Sequence, residues 1–191
     1  MRFGKMVTSV LILSFSLFYF GAIKIETDKS EQFKYIGADK CGSVCHKGDS
    51  KGNQYEKWQN SKHSKAFLTL QTPEADKIAL DKGFTTPAAE TPACVKCHVL
   101  GKDLDESEFT ETFDKTQGVQ CETCHGPGSE YKGILVMKDK ELSKEKGLII
   151  HKNDRDVFCA TCHNQESPTF KGFNLDEEWE KIKHLRPVTG Q

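Results

Sequence analysis

Residues 118–129 read Gly118-Val-Gln-Cys121-Glu-Thr-Cys124-His125-Gly-Pro-Gly-Ser129. Two thiols separated by two residues, with an imidazole directly after the second, make up the C-x-x-C-H sequence by which a c-type haem is attached. The thiols add across the porphyrin vinyl groups, so both must lie on one side of a short turn. The next residue then presents its ring to the iron as the proximal ligand. All eight cysteines of the chain fall in such pairs, and a histidine follows every pair. The others are Cys41-Gly-Ser-Val-Cys45-His46, Cys94-Val-Lys-Cys97-His98 and Cys159-Ala-Thr-Cys162-His163. The first has a three-residue gap, a variant that still permits both thioethers. A zinc ribbon needs paired knuckles but no histidine after each. Four disulfides would suit an oxidising compartment. Neither explains why histidine follows all four pairs.

Composition agrees with a chain built around something other than side chains. Only 36% of the 191 residues are hydrophobic and 29% are charged, a weak basis for an ordinary core. Covalent haem supplies the missing apolar bulk. A formal net charge of −1 gives no nucleic-acid footprint, and no nucleotide-binding or Ser-His-Asp motif occurs. Met1, Arg2 and Lys5 precede an uncharged apolar run from Val7 to Ile23, which reads as a signal peptide or N-terminal membrane anchor over residues 1–23. Residues 24–191 are then an exported, periplasmic or otherwise extracytoplasmic tetrahaem cytochrome c domain. It is either soluble or held by that segment.

Seven histidines occur, and four follow the cysteine pairs. His63, His151 and His184 remain for the opposite faces of the irons. Four haems with two axial imidazoles each would need eight, so at least one iron keeps an open position unless another group substitutes. Met137 is the one methionine beyond the N-terminal region, and packing is the commoner role for such a residue. His63 shares an apolar helical face with Tyr55, Trp58, Ala66, Phe67 and Leu70, which predicts a helix through residues 53–70. His184 flanks Trp179, Ile182 and Leu185 in a second amphipathic segment capped by Asn174 or Asp176. His151 follows the apolar Gly147–Ile150 and reads equally as a ligand or as a surface residue beside Lys152. Residues 138–146 predict an exposed helix of mixed charge, and residues 103–111 a solvated acidic face. No strand is predicted. The fold class is mainly α, with short helices and long loops wrapped around four covalent haems.

Several stretches together resemble the tetrahaem cytochrome c-554 family. They are Trp58…Ser61-Lys-His63-Ser-Lys-Ala66, Ala93-Cys-Val-Lys-Cys-His98, Gly118–Ser129, and Cys162-His-Asn-Gln-Glu-Ser-Pro-Thr-Phe-Lys-Gly-Phe173 with the later His184. The resemblance covers about residues 35–187. It implies a mainly helical fold with haems in closely stacked pairs, moving electrons between redox proteins outside the cytoplasm. The type member accepts them from hydroxylamine oxidoreductase. Carried over by motif, His63 would serve the fourth haem, His184 the third, and His98 alone the second. The family's remaining ligand lies soon after the third motif, where Glu130–Leu135 has no histidine. His151 would take its place. A competing expectation is enzymatic, in which an open haem reduces a small ligand such as nitric oxide. Asp154, Arg155 or Tyr131 would then furnish distal groups.

Overall fold

The structure is a computed structural model that describes residues 33–43, 45–100 and 104–184, all within one compact unit, Glu31–Gln191. The N-terminal segment read as a signal or anchor lies outside the described residues. Among the described residues there are ten short α-helices joined by loops and 3₁₀ turns. Extended pairing is limited to an isolated parallel bridge between Tyr35 and Phe109. None of the described helices is long and apolar enough to cross a membrane. The mainly helical expectation holds.

Local chemistry explains where each helix starts and stops. Helix α4, Pro73–Asp81, opens with Thr72 Oγ1 accepting from Ala75 N at 3.2 Å and with proline in the first turn. Both satisfy an otherwise free helix N-terminus. It packs with α3 (Ala66–Leu70) and the turn Ala88–Glu90, and both of these meet α5 (Pro92–His98). Leu70, Ala79 and Ala88 form the buried centre, and Phe67, Ala75, Ala89, Cys94 and Val95 pack around them. Asp76 accepts from Ala88 N at 2.8 Å, fixing the turn that feeds α5. This cluster sets α3 directly against the helix bearing the second motif.

A second group gathers the first and third motifs. Helix α1, Ala38–Gly42, carries Cys41, and α6, Cys121–His125, carries the third motif. Buried Glu122 accepts from Ile36 N (2.9 Å), Gly37 N (2.8 Å) and Gly128 N (2.6 Å). Gln120 Oε1 accepts from Ala38 N at 2.8 Å while its Nε2 donates to Asp114 O at 2.7 Å. These side chains replace the strand ladder that the segment before α1 lacks. Tyr35, Phe109 and Phe113 stack beside them, with ring centroids 4.6–6.5 Å apart.

Toward the C-terminus, α7 (Ile134–Lys138) and α8 (Lys140–Glu145) meet at Asp139. Its carboxylate caps α8 by accepting from Glu141 N and Leu142 N, and Lys144 pairs with Glu141 at 2.9 Å. The mixed-charge helix is therefore present, with a break at Asp139 and α7 ahead of it. Helix α9 spans Arg155–Ala160 and α10 spans Leu175–Ile182. The Arg155 guanidinium lies 4.6 Å from the Trp179 ring centroid, a cation–π contact that joins the two.

The single helix expected through residues 53–70 is corrected. Helix α2 covers Gln54–Gln59 and α3 starts at Ala66, and His63 sits in the turn between them. Ser64 Oγ donates to Gln59 O at 2.9 Å and Ser61 O at 3.0 Å, offering the backbone an alternative to helix. Residues from the approach to the third motif fix the turn: Val119 N donates to His63 O (2.9 Å) and Trp58 Nε1 to Val119 O (2.8 Å).

Candidate functional site

A short helix suits the attachment motif because positions i, i+3 and i+4 share a face. In α5 these are Cys94, Cys97 and His98, and in α6 they are Cys121, Cys124 and His125. The fourth motif begins on α9 at Cys159 and closes one turn later, with His163 N donating to Cys159 O at 3.0 Å. Cys41 lies in the last turn of α1, and His46 N reaches back to Cys41 O at 3.2 Å. None of the eight cysteines forms a disulfide.

The thiols of different motifs adjoin. Cys41 hydrogen-bonds to Cys121, which together with burial holds the Cys41 thiol far above its ordinary value. Burial and the neighbouring Cys162 push Cys97 up to about 11. Burial and then Cys159 push Cys124 up to about 12. The hydrogen-bonding pairs thus join the first motif to the third and the second to the fourth.

The imidazoles also come together in pairs. The His63 and His163 rings have centroids 6.1 Å apart, and those of His125 and His184 are 5.8 Å apart. Each pair joins a motif histidine to one from a distant segment. Burial, then the facing ring, lowers the His63 pKa, and burial followed by His125 does the same to His184. Phe173 stacks on His163 at 4.3 Å. Asn174 Oδ1 caps α10, resolving the Asn174/Asp176 alternative, and His184 follows just beyond that helix.

Second partners fix which nitrogen is free. His98 Nδ1 lies 2.8 Å from Ala66 O and 3.1 Å from Thr69 Oγ1. A carbonyl only accepts, so Nδ1 carries the proton and Nε2 is left as a lone-pair donor. His125 Nδ1 donates to Ile149 O at 3.0 Å by the same logic, and Ile149 N donates back to His125 O at 2.9 Å. His151 is mostly buried (16% exposed), with Nδ1 2.9 Å from Asp154 Oδ2 and its ring stacked on Phe158 at 4.0 Å. Burial, with His151 and His46 adding to it, depresses the His125 pKa.

Met137 lies on α7, half-buried. The three side chains suggested as distal groups are engaged elsewhere. Asp154 meets His151, Arg155 covers Trp179, and the buried Tyr131 hydroxyl donates to Gly126 O at 2.8 Å. Sequence reasoning did not single out Glu122, Gln120, Thr69 or the Ala66 and Ile149 carbonyls. Only the Nδ1 and backbone geometry reveals them.

The donor set fits haem iron. A metal–imidazole bond of about 2.0–2.1 Å, plus about 1.1 Å from nitrogen to ring centre, sets two rings across one metal roughly 6.2–6.4 Å apart. The two observed pairs lie within a few tenths of an ångström of that spacing, and each includes the histidine of a cysteine–cysteine–histidine motif.

The sequence profile of the family described as cytochrome c554 and c-prime matches residues 40–126. A cytochrome c-554 of Nitrosomonas europaea is 32% identical over 155 residues, which is 72% of this chain and 61% of the relative. Over residues 40–126 and beyond, this chain is similar to the cytochrome c554 family. That likeness implies covalently bound haem c as the cofactor. The C-type polyheme cytochrome OmcC of Geobacter sulfurreducens is 31% identical over 110 residues, covering 52% of this chain and 12% of the relative. The multiheme cytochrome MtrA of Shewanella baltica is 29% identical over 124 residues, covering 48% and 37% respectively. The chain therefore spans less than two thirds of each of these relatives. No solved structure matches.

Proposed function

We propose that this chain is an exported tetrahaem c-type cytochrome that passes electrons between redox proteins outside the cytoplasm. The observation that carries the reading is the pair of imidazole–imidazole spacings, 6.1 Å for His63–His163 and 5.8 Å for His125–His184. Bound haem c supplies a one-electron iron couple. The chain's own residues anchor and tune it. Cys41 and Cys45, Cys94 and Cys97, Cys121 and Cys124, and Cys159 and Cys162 provide the covalent attachments. His46, His98, His125 and His163 are the proximal ligands. His63 faces His163, His184 faces His125, and His151, the remaining histidine, serves the first motif. His98 has its Nδ1 occupied, and among the described residues no second imidazole is paired with it.

The thiol pairs support closeness of the first centre to the third and of the second to the fourth. Electrons accepted at one centre are delivered at another across one compact unit. Redox partners then need only small, transient docking faces near the entry and exit centres.

Electron paramagnetic resonance of the oxidised protein, with haem counted on the same sample, tests the reading. Four haems giving one high-spin and three low-spin signals are expected. Fewer than four haems would overturn it, and four low-spin signals would remove the open site at His98.

A further inference from the structure

The contacts around His98 carry a consequence beyond attachment. Three atoms form a closed triangle: His98 Nδ1 to Ala66 O at 2.8 Å, His98 Nδ1 to Thr69 Oγ1 at 3.1 Å, and Thr69 Oγ1 to Ala66 O at 2.6 Å. The Nδ1–H is shared between the carbonyl and the hydroxyl oxygen, while the hydroxyl proton goes to the carbonyl. Ala66 N in turn donates to His63 O at 3.1 Å. One seven-residue stretch therefore holds the ring of His98 at one end and bears His63 at the other. That stretch has little slack. Phe67 and Leu70 pack into the small core with Cys94 and Val95 of the second motif, and His63 O is fixed by Val119 N.

We propose that Thr69 is a positioning residue for the His98 imidazole, and that the segment from His63 to Thr69 mechanically ties the iron environment at the second motif to that at the fourth. This rests on the reading of His98 and His63 as haem ligands. An acceptor on Nδ1–H draws the proton outward and makes Nε2 a stronger donor to iron, which stabilises the oxidised state. Two acceptors do this more strongly than one and also fix the ring's rotation. Any change that pulls on His98 is passed through Ala66 to the turn holding His63.

Thr69 is exposed, so Thr69→Val keeps shape and fold while removing the hydroxyl. The test uses the haem-loaded full chain, with Thr69→Ser as the conservative control. In Thr69→Val the iron–histidine stretch of the reduced high-spin haem, read by resonance Raman, is expected at lower frequency. One midpoint potential moves to a more positive value, and Thr69→Ser restores both. The low-spin signal that disappears in His63→Ala is expected to shift in Thr69→Val as well. An unchanged stretch and unchanged potentials overturn the positioning role. A shifted stretch with an unmoved His63 signal overturns the tie between the two motifs. A wild-type protein without a high-spin signal refutes the five-coordinate reading instead, and the potentials alone then decide for or against Thr69.

Discussion

Glu122 occupies a variable position of its attachment motif, where a side chain has no part in binding haem. Nevertheless it is fully buried, with its carboxylate shared among three backbone amides from two segments. Burial raises its pKa, and the amides of Ile36, Gly37 and Gly128 work against that rise. Glu122→Ala leaves all three N–H groups without a partner, at a cost of about 3 kcal/mol or more. Glu122→Gln is not a neutral exchange, because its NH₂ must face an N–H that needs an acceptor. A loss of about 2 kcal/mol is expected there. Urea unfolding of the haem-loaded variants measures both, and a midpoint within error of wild type in Glu122→Ala would contradict this role. Gly118 offers a second test. It has φ +70°, and a β-carbon added there would come within 2.5 Å of His63 O. Gly118→Ala is expected to cost at least about 2 kcal/mol and to displace His63 from His163. That displacement is visible as a second high-spin signal.

Among the elements, legibility followed sequence separation. The attachment motifs could be read at once because cysteine, cysteine and histidine are adjacent in the chain, and their chemistry fixes a single turn. Helix α10 was legible for a similar reason: Asn174, the acidic first turn and Trp179 at helical spacing are all local signals. The segment around His63 was not. Its apolar periodicity is genuine, but the interruption between α2 and α3 comes from Trp58 and His63 binding Val119, some 60 positions later. Periodicity has no means of recording such a contact. The same holds for Ile149, whose amide and carbonyl clasp His125 from across a loop. Only the serines at 61 and 64 hinted locally that a helix would fail there.

Across the whole molecule, the buried apolar side chains are few and small: Ile36, Ala38, Leu70, Ala79, Ala88, Val99, Leu100 and Tyr131 among the described residues. A chain of this length without its haems lacks enough buried surface to offset its conformational entropy. Protein made without haem attachment is therefore expected to be unfolded, giving a disordered far-ultraviolet circular dichroism spectrum and rapid proteolysis. A cooperative unfolding transition in that apoprotein would contradict this. The distances along the chain also imply an order of assembly. Each attachment motif spans five or six consecutive residues, whereas His163 finds His63 a hundred positions away and His125 finds His184 fifty-nine away. Closing the longest of these loops costs about 2.7 kcal/mol more entropy than closing a five-residue one. Haem attachment can thus run motif by motif on an otherwise unformed chain, while the opposite imidazoles arrive last. On the proposed ligand set, the newly matured protein would pass through a stage in which its cofactors are all fastened but not yet enclosed, and the histidines would then act as latches that close a fold the haems have begun.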